Sequence, residues 1–98
     1  MAKVKFEKTL TLDVLGKWQQ PILDIIKEKL PGSRPAYAPL PMGRAGLVVE
    51  WDGFYGRDPT DRQDIVRFAI ANLGPDPSKL ISMIVTLTQE EAAGAKDS

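Results

Sequence analysis

The chain has 98 residues and contains neither cysteine nor histidine. Its length predicts one domain, residues 1–98, with a modest core. The missing cysteines exclude disulfides, thiolate nucleophiles and cysteine-held iron–sulfur clusters, and the missing histidines remove the usual general base and the commonest metal ligand. Thirteen basic residues balance thirteen acidic ones, so no overall charge draws the chain to nucleic acid or membrane. We therefore expect no metal, no cofactor and no enzymatic activity.

No membrane-spanning or targeting segment is visible. The longest apolar runs, such as residues 47–49 and 80–87, fall well short of the roughly 20 residues that span a bilayer. Residues 1–6 alternate charged and apolar side chains and do not form a signal-peptide core. We expect a cytoplasmic protein that does not associate with membranes.

The first third of the chain predicts a strand followed by a helix. Charged and apolar residues alternate over residues 3–11, which is typical of a half-buried strand. Apolar residues three or four apart then predict an amphipathic helix from the cap Asp13 to Leu30. Because an interior proline disturbs a helix, Pro21 predicts either a continuous but disturbed helix, which we prefer, or a main helix that starts at Pro21 after a separate turn.

The middle of the chain is rich in proline and glycine. Such a density over residues 31–46 argues against a central strand. A short edge strand near residues 34–38 and a loop through residues 41–43 are expected there. A second strand over residues 47–51 follows, closed by the turn dipeptide Asp52-Gly53.

The second predicted helix has strong local signals. Asp58 is a good N-cap, Pro59 suits the first helical position, and Asp61 adds negative charge to the first turn. Residues 74–75, Gly-Pro, supply the stop signal. The expected buried stripe, with Phe68 beside it, is Ile65, Val66, Ala69, Ile70 and Leu73.

The last predicted strand covers residues 80–88, and residues 89–98 are expected to be a frayed tail. Alternation within this strand places on one face Ile81, Met83, Val85 and Leu87. The element order is therefore βαββαβ, with an ordered core over residues 3–88. Two helices that each have a single apolar stripe predict a two-layer α+β sandwich, either KH-like or ferredoxin-like.

Three patterns could carry chemistry, and a structural explanation is preferred for each. Asp58, Asp61 and Asp64 could be a metal cluster, but their spacing is explained by helix capping. Residues 43–46 fit the GxxG pattern of KH domains, but they follow a proline-rich loop and precede a strand, so a hairpin turn is expected. The two tryptophans, Trp18 and Trp51, are expected in the core.

The segment from Trp51 to Arg57 has more aromatic residues than a connection needs. Aromatic residues and arginine are the types that anchor protein interfaces. Both a core corner and an exposed contact surface remain open here. The candidate partner-binding residues are Trp51, Phe54, Tyr55, Gly56, Arg57 and Arg62.

Nucleic-acid binding is the alternative from a different class. A lysine-rich first strand and the arginines of the second helix could contact phosphates, although three lysines alone would bind weakly. The candidate residues are Lys3, Lys5, Lys8, Arg57, Arg62 and Arg67.

The same junction resembles the BolA family. Phe54-x-Gly56-Arg57, four residues, then 62–66 (Arg-Gln-Asp-Ile-Val) is similar to the family's F-x-G-K-x4-R-H-R-L-V segment. Residues 85–91 (Val-Thr-Leu-Thr-Gln-Glu-Glu) resemble its closing K-T-Y-T-P-E-E-W strand. The resemblance covers residues 20–92. It implies a KH-type α/β fold, pairing with monothiol glutaredoxins through a shared iron–sulfur cluster, and DNA-binding regulation in some members.

Two departures narrow what the resemblance implies. Gln63 stands where the family has its histidine, and Asp64 replaces its second arginine. The family's cluster-ligating residue is therefore missing, so the resemblance predicts a regulatory protein-binding module that works without the cluster. A second resemblance, in residues 4–12, the following helix and residues 61–65, is to the DinI family of recombinase regulators, whose chains end after the second helix.

Overall fold

The computed structural model describes residues 14–97. The first strand expected over residues 3–11, and with it Lys3, Lys5 and Lys8, lies outside the described residues. The helices are α1 (Gln19–Lys29), α2 (Pro59–Ala71), α3 (Pro75–Leu80) and α4 (Gln89–Asp97), and the strands are β1 (Arg34–Leu40), β2 (Arg44–Glu50) and β3 (Ile81–Leu87). Short 3₁₀ turns cover Gly16–Trp18, Pro41–Gly43 and Asp52–Phe54.

The first helix is interrupted before Pro21. Gly16 has a φ of 50°, which an L side chain rarely adopts, and a 3₁₀ turn leads from it into α1. Pro21 is the third residue of α1, where a backbone N–H would have no intrahelical partner, so the proline costs no hydrogen bond. The preferred continuous helix is therefore wrong, because the break lies at Gly16. A separate turn does precede the main helix, which starts at Gln19.

The three strands form one mixed sheet in the order β1-β2-β3. β1 and β2 are antiparallel neighbours, from the pair Arg34 and Glu50 to the pair Leu40 and Arg44, so residues 43–46 belong to a hairpin as expected. β1 is an edge strand, which is where its two prolines can be accommodated. β2 and β3 pair in parallel.

The parallel pair decides between two arrangements of the predicted element order. A ferredoxin-like, split βαβ arrangement places another strand between the two parallel strands. Here β2 and β3 are hydrogen-bonded to each other directly, through α2 and α3 as the crossover. The structure is thus a two-layer α+β domain, and the ferredoxin-like alternative is not the arrangement it has.

The core lies between the sheet and the helices. β2 sends every second side chain, Ala45, Leu47 and Val49, into it, and all three are fully buried. The other buried apolar residues are Leu15, Ile22, Ile26, Leu30, Phe54, Val66, Ala69, Ile70, Ile81 and Ile84. Trp18 and Trp51 pack against this core as expected.

α2 begins as the sequence predicts. The Asp58 side chain accepts a hydrogen bond from the N–H of Asp61 at 2.9 Å, and Pro59 is the first helical residue. Three acidic residues at this helix start are therefore explained by capping and by the helix dipole. The expected buried stripe is confirmed, and Phe68 beside it is 74% exposed.

Two expectations for the C-terminal part are wrong. The segment expected to fray forms α4, and Ala92 of that helix is buried. In β3 the pairing shifts between Ala45 and Gly46, which leaves Ser82 as an extra residue. This bulge changes the phase of the strand, so Ile84 joins Ile81 in the core while Met83 is 46% exposed. α3 is also absent from the sequence prediction.

The bulge makes a direct prediction about stability. Ile84→Ala removes buried methylenes and should lower the free energy of unfolding by about 2–5 kcal/mol, whereas Met83→Ala should change it by less than about 1 kcal/mol. Urea unfolding followed by circular dichroism measures both. A larger loss for Met83→Ala than for Ile84→Ala would mean that β3 has the regular alternation and no bulge.

Candidate functional site

The predicted contact region is the connection from β2 to α2. Its start is fixed to the sheet, because the N–H of Trp51 donates to the carbonyl of Leu87 at 2.8 Å. A 3₁₀ turn follows, and Gly56 then has a φ of 77°, the left-handed region that favours glycine. The cap Asp58 starts α2 immediately afterwards, so both ends of the connection are held by regular structure.

Two of the six candidate partner-binding residues belong to the core. Phe54 is fully buried, and its ring meets that of Trp51 edge-on at 5.2 Å between centroids. The indole nitrogen of Trp51 donates to the carbonyl of Pro31 at 2.9 Å. Trp51 and Phe54 therefore anchor the connection and do not offer a free contact surface.

Gly53 lets the Trp51 ring lie against the turn. A Cβ atom at Gly53 would come within 2.3 Å of the Trp51 ring, far inside van der Waals contact. The turn dipeptide Asp52-Gly53 is thus required by packing as well as by chain reversal.

The exposed part of the connection is residues 55–57, here called the 55–57 turn. The Tyr55 side chain is 69% exposed, and its hydroxyl donates to the Glu90 carboxylate at 3.2 Å. The negative charge of Glu90 raises the pKa of Tyr55. Arg57 is exposed, with its Nε 3.3 Å from the carbonyl of Gly53. Of the sequence candidates, only Tyr55, Gly56 and Arg57 are available to a partner.

Arg62 has a structural role in this region. Its side chain is only 14% exposed and forms a two-pronged ion pair with Glu91, at 2.7 and 3.3 Å. Its Nε donates to the carbonyl of Arg57 at 2.9 Å, and its guanidinium carbon lies 5.8 Å from the centre of the Phe54 ring. Arg62 thus joins α2, the 55–57 turn and α4.

α4 begins with a capping box that the sequence prediction missed. The Thr88 hydroxyl accepts from the N–H of Glu91 at 3.1 Å, and the Glu91 carboxylate accepts from the N–H of Thr88 at 2.9 Å. The Asp52 carboxylate accepts from the N–H of Gln89 at 3.0 Å, which satisfies a further helix-end donor. The signal was present in the sequence as Thr-x-x-Glu over residues 88–91.

These contacts leave an open pocket of about 410 Å³ beside the 55–57 turn. It is lined by Tyr55, Gly56, Arg62, Thr88, Glu90 and Glu91. Because the only arginine in its lining is already paired with Glu91, Glu90 leaves the pocket with a negative balance.

The nucleic-acid candidates do not form a basic surface within the part of the chain that the structure describes. Arg57 and Arg67 are exposed, but Arg62 is neutralised by Glu91. The exposed acids around them on α2 are Asp58, Asp61 and Asp64. Negative charges thus outnumber the two free arginines on this helix.

Gln63, at the position of the BolA family's histidine, is occupied by the fold. Its side-chain nitrogen donates to the carbonyl of Ile84 in β3 at 2.5 Å, and the side chain is partly buried. A neutral amide held in this way fits a strap between α2 and β3 and does not fit a ligand to an iron–sulfur cluster. Across residues 14–97, no group of three acidic side chains could hold a metal ion either.

A scan against protein-family models gives no match for this chain, and a search of curated proteins gives none either. Within the described residues, no helix is both long enough and apolar enough to cross a bilayer.

The Arg62–Glu91 pair predicts acid-sensitive docking of α4. The hydrogen bond from Arg62 lowers the pKa of Glu91 below its ordinary value of 4.5. A carboxylate with a lowered pKa contributes stability that is fully present above 4.5 and is lost as the pH falls through its folded-state value. Glu91→Gln should therefore melt below the wild type at pH 7, and this difference in Tm should shrink towards pH 3.

The matched control is Glu28→Gln, which removes an exposed carboxylate from α1. Its Tm should follow that of the wild type across the same pH range. A difference between Glu91→Gln and the wild type that stays constant from pH 7 to pH 3 would contradict the role assigned to the ion pair.

Gly53→Ala should displace the Trp51 ring. The clash should lower the free energy of unfolding by about 1–3 kcal/mol and change the near-ultraviolet circular dichroism of the indole. Gly56→Ala, which meets nothing within 4 Å, should cost only the backbone strain of its positive φ, about 1–2 kcal/mol, and leave the indole signal unchanged. Equal indole signals in the wild type and Gly53→Ala would contradict this packing.

Proposed function

We propose that the chain is a small, non-catalytic protein-binding module that resembles BolA and works in the cytoplasm without that family's metal cluster. The proposed contact surface is the 55–57 turn together with Glu90 at the start of α4. Its role is regulatory in the sense that binding, and no chemical step, is its output.

The exposure of Tyr55 carries the proposal. A tyrosine that is 69% exposed beside an exposed arginine has the composition of an interface anchor. Buried Phe54 on one side and the capped start of α2 on the other hold the turn in place. A surface that is already ordered loses little conformational entropy on binding, which favours its use as a docking point.

The sheet supports the BolA resemblance over the two alternatives. Direct pairing of β2 with β3 disagrees with a ferredoxin-like sheet and is compatible with a KH-like one. β3 is also an integral strand, bonded along β2, whereas DinI-like chains end after the second helix. The position of Gln63 is consistent with a relative that has kept the scaffold without the cluster ligand.

A catalytic role is not proposed, because the shifted groups have structural explanations. Burial raises the pKa of Tyr37, whose hydroxyl donates to the carbonyl of Gln19 at 2.5 Å. The shifts of Tyr55 and Glu91 come from the contacts that dock α4.

Capture and alanine substitution test the proposal. The tagged full chain should retain a protein from an extract of the source organism, and a purified monothiol glutaredoxin without its cluster is the directed candidate. Tyr55→Ala and Arg57→Ala should each weaken the measured affinity about tenfold or more, the size of an interface hot spot. Arg67→Ala, an exposed arginine farther along α2, is the matched control and should change it less than about threefold.

Retention of the same proteins in the same amounts by Tyr55→Ala/Arg57→Ala would contradict the proposal. A salt titration with duplex DNA and single-stranded RNA addresses the nucleic-acid alternative, since phosphate contacts predict a steep loss of affinity with salt. Tight, salt-sensitive binding of either nucleic acid, reduced by Arg57→Ala and Arg67→Ala, would favour that alternative.

A further inference from the structure

One face of the sheet is apolar and lies opposite the helices. It carries the alternate residues of each strand that do not enter the core: Ala36, Ala38 and Leu40 of β1, Val48 of β2, and Met83, Val85 and Leu87 of β3. Neither the buried core nor the set of apolar residues packed against it includes any of them. Within the described residues, this face therefore has no helix over it.

Small residues make the centre of this face flat. Gly46 lies between the two antiparallel neighbours Ala38 and Leu40, and a Cβ there would come 3.3 Å from the carbonyl oxygen of Ala38. With Ala36 and Ala38 on the same side, the middle of the face has short side chains that another sheet could approach closely.

The two ends of this face carry opposite charges. Arg44 and Glu50 lie on the same side of β2, at equal distances of about 10 Å from Leu47. The ion pair found among the described residues joins Arg62 to Glu91, so Arg44 and Glu50 are not paired within the chain. A face with opposite charges placed symmetrically about its centre is complementary to a reversed copy of itself.

We propose that this face is a self-association surface on which a second copy of the chain packs sheet to sheet with its strands reversed. Two twofold arrangements would stack β2 on β2. An axis along the strands would place Glu50 over Glu50 and Arg44 over Arg44, which is repulsive. An axis across the strands reverses the direction, so that Glu50 of each copy meets Arg44 of the other, and the charges select it.

The size of the face sets the strength of this association. Three strands of this length span roughly 14 Å by 20 Å, which is small beside a standard protein interface. The balanced net charge of the chain adds no repulsion between copies. The dimer is accordingly weak, with a dissociation constant on the order of 10–100 µM.

Sedimentation velocity of the full chain from about 1 to 500 µM, a range that brackets this dissociation constant, tests the proposal. The wild type should shift from monomer to dimer across this range. Val85→Lys places a charge on the open face and should remain monomeric at every concentration, with circular dichroism confirming the fold. Phe68→Lys, an equally drastic change at an exposed apolar residue on the helical side, should dimerise like the wild type.

Charge exchange tests the strand direction. Arg44→Glu and Glu50→Arg should each raise the dissociation constant roughly three- to tenfold, because each creates two repulsive contacts in the symmetric dimer. The double variant Arg44→Glu/Glu50→Arg should restore the wild-type value. A wild type that stays monomeric at 500 µM, a Val85→Lys variant that dimerises normally, or a double variant no better than the single ones would overturn the proposal.

Discussion

The region proposed as a contact surface depends on one guanidinium group. Arg62 lies over the buried Phe54 ring, donates to the Arg57 carbonyl that ends the 55–57 turn, and pairs with Glu91 in the capping box of α4. Removing it would leave a buried carbonyl and a carboxylate without their donor at the same time. Both the shape of the turn and the position of α4 therefore follow from a residue that a partner cannot easily reach.

This arrangement separates the residues that build the surface from those that can be touched. Trp51, Phe54 and Arg62 hold the turn from below, and Tyr55 and Arg57 project from it. The cluster chemistry of the BolA-like family has no counterpart at Gln63, whose amide joins α2 to β3. The account is thus of a scaffold whose interior contacts are fixed and whose exposed turn supplies recognition.

Features set by neighbouring residues could be predicted from the sequence, and features set by distant ones could not. The Asp58 cap and the edge position of β1 depend on local chemistry that the sequence displays. The bulge at Ser82 depends on how β3 aligns with a strand far away in the chain. The division of the junction into core and surface depends on Arg62 meeting Glu91, 29 residues further on, which no local pattern reveals. α4 was missed although its Thr88–Glu91 box is local, because the alanine-rich segment after it is typical of a frayed tail.

The central claim is that Arg62 holds the 55–57 turn and α4 together, and amide hydrogen exchange of Arg62→Lys tests it most directly. Lysine keeps the charge but cannot form the two-pronged pair and the Arg57 contact at once. The account predicts exchange faster by about tenfold, the loss of roughly 1.4 kcal/mol of local stability, at the N–H groups of Arg57 and Thr88, with unchanged exchange at Val49 in the sheet. Unchanged exchange at Arg57 and Thr88 would contradict it.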